Sequence, residues 1–138
     1  MTKTQSVLMF ALAPVVALAW FGWSASKADD QPITRTELLR SDLAGIDGKE
    51  TVIYIADLKP GAAGGKHTHY GDEFVYVLEG GIVVEPVGKP AIALKPGETG
   101  HFTPDIVHAA KNASDSAPAK VLVFLVVEKG KPLAEPVK

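Results

Sequence analysis

Two histidines and a glutamate fall within seven residues, His67-Thr68-His69-Tyr70-Gly71-Asp72-Glu73, in a chain that has four histidines in all. On an extended segment, side chains two apart point to the same face, so both imidazoles can reach a single ion. Glu73 then opens a second strand after a short turn. Neutral imidazole nitrogens and an ionised carboxylate are donors that a divalent transition metal accepts. The chain has no cysteine, which excludes disulfides, thiolate catalysis and iron-sulfur clusters.

The elements that must hold these residues read as short strands. Thirteen glycines and ten prolines punctuate 138 residues, and they fall between apolar runs of strand length. Thr51 to Ala56, Glu73 to Leu78, Ile82 to Glu85, Ala91 to Leu94, Thr99 to Thr103 and Val107 to Asn112 are predicted strands. Val121 to Val127 is an uninterrupted apolar run, expected to be covered on both sides. Thr36 to Arg40 is compatible with a helical turn or an edge strand. With no long segment of helical period, the expectation is one all-β domain, an antiparallel sandwich or barrel. Parity places Glu73, Val75 and Val77 inward and Phe74, Tyr76 and Leu78 on the other face. A face so apolar implies a cover, either a second copy of the chain or the N-terminal strand, and a homodimer is expected.

The ends of the chain bound where it works. Lys3, the apolar stretch Val7 to Trp23 and the small residues Ser24 to Ala28 have the order of a secretory signal peptide cleaved after Ala28. An uncleaved anchor is the alternative. Residues 1–28 are thus read as a leader, 29–49 as an edge strand or arm, 50–129 as the domain and 130–138 as an irregular tail. An exported protein, periplasmic or secreted, follows, with no membrane association after cleavage. The formal charge is -2. Removing the leader takes Lys3 and Lys27 and no acid, leaving 12 basic against 16 acidic residues and a net charge of -4. Such a chain lacks the basic face that nucleic acid requires.

The same inward parity on the later strand brings His108 round with Ala110 and Asn112, as a fourth ligand from the opposite side of the fold. Beside the His-x-His pair this reading is preferred to a core histidine bonded to a carbonyl. His101 fits a solvated turn better than a base near the metal. Tyr70 and Asn112 stand with it as weaker catalytic candidates.

These residues resemble a family. Gly61, His67, His69, Glu73 and Gly80 stand at the spacings of the first cupin motif, G-x5-HxH-x3,4-E-x6-G, in full. Gly97, His108 and Asn112 keep the spacing of the second, G-x5-PxG-x2-H-x3-N. Its proline is displaced to Pro104, and Asp105 takes the glycine position. The resemblance, over Thr51 to Val127, implies a jelly-roll barrel in which His67, His69, Glu73 and His108 hold one divalent ion. Iron, manganese, nickel, copper and zinc all accept such donors. Three functions are compatible with that site. One is an enzyme acting on a small molecule at the metal, by oxygenation, isomerisation or lyase chemistry. The others are an exported binding protein for a metal or a small ligand such as a sugar, and a purely structural metal.

Overall fold

The computed structural model describes residues 31–138, and among them ten strands form and no helix. In chain order these are β1 (Ile33–Asp42), β2 (Lys49–Leu58), β3 (His67–Thr68), β4 (Gly71–Glu79), β5 (Ile82–Pro86), β6 (Ile92–Leu94), β7 (Thr99–Phe102), β8 (His108–Asn112), β9 (Ala119–Glu128) and β10 (Glu135–Pro136). The leader expected over residues 1–28 lies outside the described residues.

Two antiparallel sheets result, ordered β1-β2-β9-β4-β7 and β10-β3-β8-β5-β6. Their inner faces close on one core, the jelly-roll arrangement of an all-β domain. Val52, Val77, Leu125 and Val127 have no exposed surface, and Val84 from the second sheet joins them. β2 and β9 pair along ten residues each, and the β-branched side chains that fill both strands suit a pleated, packed surface.

Inward and outward positions on β4 follow the expected parity. Glu73, Val75 and Val77 are buried, while Phe74, Tyr76 and Leu78 are 41%, 42% and 38% exposed. The N-terminal segment, which left helix and strand open, is the edge strand β1. It extends the first sheet beside β2 instead of covering that sheet's outer face. β9 likewise alternates buried with half-buried residues, so within one chain it is covered on its inner face and only half covered on the other.

Two further readings are corrected. Residues 130–138 are irregular apart from β10, but they are not loose: β10 pairs with β3, and the Val137 amide donates to the Lys66 carbonyl at 3.0 Å. His108 does not come from the opposite side of the fold. β8 is the neighbour of β3, and His108 stands directly across from His67. Glu73 is the residue that arrives from the other sheet, because the chain changes sheets between β3 and β4. Gly71 permits that crossing: a Cβ there would lie 2.0 Å from the Val126 carbonyl oxygen. Gly80, the last glycine of the first motif, turns the chain from β4 to β5 at φ +69°, where a Cβ would meet the Pro118 carbonyl at 2.5 Å.

Candidate metal centre

His67, His69 and His108 each offer one ring nitrogen, and these atoms lie within 4.8 Å of one another. Three histidines so placed are close enough to hold one metal ion. Glu73 joins from the first sheet. Its Oε2 is 3.2 Å from His69 Nε2 and 3.0 Å from His108 Nε2. His69, Glu73 and His108 are 5%, 5% and 2% exposed, and His67 is half-buried.

The orientation of the rings is set by the backbone. His67 Nδ1 donates to the Gly65 carbonyl at 2.9 Å, His69 Nδ1 to Leu133 at 2.6 Å and His108 Nδ1 to Ile106 at 3.1 Å. A carbonyl only accepts, so each Nδ1 carries the proton and each neutral ring presents its Nε2 lone pair. His69 Nε2 is buried without a hydrogen-bond partner, since its approach to Glu73 is close but not aligned for one. A buried acceptor left unmatched costs free energy that a bound cation would recover. The donor set therefore fits a divalent ion, with the backbone carbonyls acting as the outer layer that fixes ligand orientation.

Electrostatics point the same way. Burial pushes the Glu73 carboxyl up, but the rings of His108 and His69 beside it outweigh that and hold it at about 2. Glu73 is thus a carboxylate throughout the physiological range. Burial pulls His69 down, yet the adjoining Glu73 carboxylate raises it overall, with help from the Leu133 carbonyl. His67, farther from that charge, is held below its ordinary value by burial, and its histidine neighbours add to the effect.

The weaker candidates sit elsewhere. His101 is exposed on β7, stacked on Phe74 with ring centroids 4.5 Å apart, and its Nε2 is 2.7 Å from Asp72 Oδ1. Its place is the outer face of the first sheet, on a strand and not at a turn. Tyr70 donates to Glu135 Oε2 at 2.9 Å and lies beneath Lys131 Nζ, anchoring the C-terminal segment. Asn112 is buried, but its Nδ2 donates to the carbonyls of Leu58, Lys59 and Ala117 and its Oδ1 accepts from the Ser114 amide. Those bonds tie the end of β2 to the loop after β8.

Sequence reasoning missed three contributors. Leu133, in the segment read as irregular, supplies the carbonyl that orients His69. Arg35 and Tyr54 line a cavity of about 60 Å³ that His67, Glu73 and His108 also border. Tyr54 could have been found by parity, since it shares a face of β2 with Val52, Ala56 and Leu58. Arg35 becomes visible only once β1 is placed against β2.

The model of the cupin domain family matches residues 54–127. The chain belongs to this family. Among solved structures, it is similar to a cupin-like protein from Thermotoga maritima, with 26% identity, TM-score 0.61, and coverage of 76% of this chain and 75% of that one. A double-stranded β-helix protein from Klebsiella pneumoniae is 20% identical at TM-score 0.61, over 82% of this chain and 90% of the other. The polyketide cyclase RemF from Streptomyces resistomycificus is 19% identical at TM-score 0.60, over 78% and 72%. No curated protein matches the sequence significantly.

Proposed function

We propose that this protein is an exported metal-dependent cupin that acts on a small molecule at a single divalent ion held by His67, His69, Glu73 and His108. The observation that carries the reading is the common orientation of the three rings: every Nδ1 is tied to a backbone carbonyl and a buried Nε2 is left without a partner. When bound, a transition ion supplies Lewis acidity and open positions for an exogenous ligand. The protein contributes the rest. It holds Glu73 ionised, fixes the imidazole tautomers, and places a cavity beside the ligands.

Elemental analysis should return one transition ion per chain, from among iron, manganese, nickel, copper and zinc, and azide or nitric oxide should perturb its spectrum. A metal that no exogenous ligand reaches would replace the enzyme reading with a structural site. His108→Ala is expected to abolish metal binding while leaving the β circular-dichroism spectrum intact; metal content equal to wild type would refute the ligand assignment.

Two attributes accompany this reading. The first is export with removal of residues 1–28, supported by the order of charge, apolar core and small residues at the start of the chain. N-terminal sequencing of the exported chain should begin at Asp29. The second is a homodimer through the outer face of the first sheet, supported by the exposure of Phe74, Tyr76 and Leu78 together on β4. A monomer in sedimentation at tens of micromolar would rule it out.

A further inference from the structure

We infer that the cavity beside the histidines takes a small carboxylate, with Arg35 at its mouth as counter-ion and Tyr54 as a neutral hydroxyl donor within. The inference deepens the proposed function by naming its substrate class, and it rests on that reading for the metal's share of the charge.

Register puts Arg35 there. It stands across from Ala56, which shares the inward face of β2 with Tyr54, so its side chain is directed over the cavity. The plain alternative is a solvated arginine on an exposed edge strand. Comparison with Arg40, on the same strand, argues otherwise. Arg40 is paired with Glu37 at 2.9 Å and Glu50 at 2.7 Å. Arg35 has no carboxylate within ion-pairing distance among the described residues, although it borders a cavity. Its planar fork is suited to bidentate recognition of a carboxylate. Being partly in solvent, it can meet an anion on entry.

Charge and size define the occupant. A divalent ion with three neutral imidazoles and the Glu73 carboxylate carries about +1, and Arg35 raises the local charge further. Arg35's charge already reaches both Tyr54 and His69. Burial, reinforced by Glu73, pushes the Tyr54 hydroxyl up to about 12, so it remains a proton-bearing donor. A volume of about 60 Å³ admits a molecule of roughly four to six non-hydrogen atoms, at about 10–15 Å³ for each water-sized centre. A short acid bearing one further oxygen meets those requirements, with its carboxylate on Arg35 and Tyr54 and its other oxygen toward the histidines.

Pyruvate and its neutral isostere pyruvamide test this by titration calorimetry on the metal-loaded chain. Pyruvate should bind and pyruvamide should bind at least about tenfold more weakly. Arg35→Met should weaken pyruvate by about tenfold or more, as for loss of a charged hydrogen-bonded partner. Arg35→Lys should fall between the two, and Tyr54→Phe should have a smaller effect. Metal content should be unchanged in Arg35→Met and so report an intact site, and azide, an anion held mainly by the metal, should weaken far less than pyruvate. Equal binding of the two probes, failure of pyruvate to bind, or indifference of pyruvate to Arg35→Met would overturn the inference while leaving the metal reading to stand on azide. Should the chain take up no metal, Arg35-dependent pyruvate binding would uphold the anion cavity and reject the metal reading; its absence would reject both.

Discussion

β2 and β9 pair over their full length, Lys49 to Leu58 against Glu128 to Ala119, whereas β3 and β10 on the opposite sheet contain two residues each. The long pair buries a regular array of aliphatic side chains and is crossed by a buried bond from Thr51 Oγ1 to the Leu125 carbonyl at 3.1 Å. The short pair carries His67 and orients His69, and it is secured by individual ties: Val137 to Lys66, His69 to Leu133, and Thr68 Oγ1 donating to the Pro104 carbonyl. Stability and ligand placement therefore belong to different sheets. Glu73 is where they meet, a side chain of the stable sheet that reaches the ligands of the other.

That division can be broken from either side. The largest effect is expected on the long strands. Leu125→Ala removes a fully buried side chain and should cost about 2–5 kcal/mol in urea unfolding. Metal content of the fraction that remains folded should be unchanged. Deleting residues 132–138 should do the reverse. It removes the Leu133 carbonyl and β10, and metal affinity should fall by about 10–100-fold, the usual cost of losing an orienting partner. Its unfolding midpoint should move much less than that of Leu125→Ala. Equal destabilisation by both changes would mean the sheets are one cooperative unit with no such division.

Protons probe the junction itself. In the metal-free protein His69 should titrate above the ordinary histidine range and His67 below it, by NMR of the ring protons. The raised His69 contributes stability that is present below about pH 6.5 and lost as pH rises through its folded value. The depressed Glu73 contributes above its unfolded value near about 4.3, and that contribution is lost as pH falls toward about 2. Glu73→Gln should lower His69, because the carboxylate that raises it is gone and burial is then opposed only by the Leu133 carbonyl. Metal must displace the His69 proton, so below the raised value affinity should fall about tenfold per pH unit for that proton. A pH-independent affinity across that range would remove His69 from the ligand set.

The parts legible in the sequence are those set by local spacing. Continuous apolar, β-branched runs marked β2 and β9, and parity on β4 separated Glu73 from Phe74 correctly, because a strand's two faces repeat every second residue. His67, His69 and His108 were legible as a cluster for the same reason, with the spacing to Gly61, Gly80, Gly97 and Asn112 as the further sign. What stayed hidden depends on pairing between distant segments. The short β10 has no periodicity of its own and exists because Lys66 to Thr68 offers it an edge. Arg35 precedes a run compatible with either a helical turn or an edge strand, and only its register with Ala56 turns it toward the cavity. His108 was placed inward correctly but across the wrong gap, since parity gives the face of a strand and says nothing of its neighbour.

The smallest expected effect concerns the departure from the second motif, where Pro104 and Asp105 replace the usual turn. No non-glycine residue among those described has a positive φ, so Asp105 occupies the glycine position without left-handed backbone. The turn is held instead by side chains. Thr103 Oγ1 donates to Asp105 Oδ1 at 2.5 Å, and Thr68 Oγ1 reaches the Pro104 carbonyl at 2.5 Å, tying the turn to β3 between His67 and His69. Thr68→Val keeps the shape and removes that donor. It should cost about 1 kcal/mol in unfolding, the net worth of one such bond. Because the bond anchors the strand that carries His67, metal affinity should fall by a few-fold, while Thr103→Val, which loosens the turn without touching β3, should leave it unchanged. Equal effects of the two substitutions on metal binding would show that the turn as a whole, and not its tie to β3, positions the histidines.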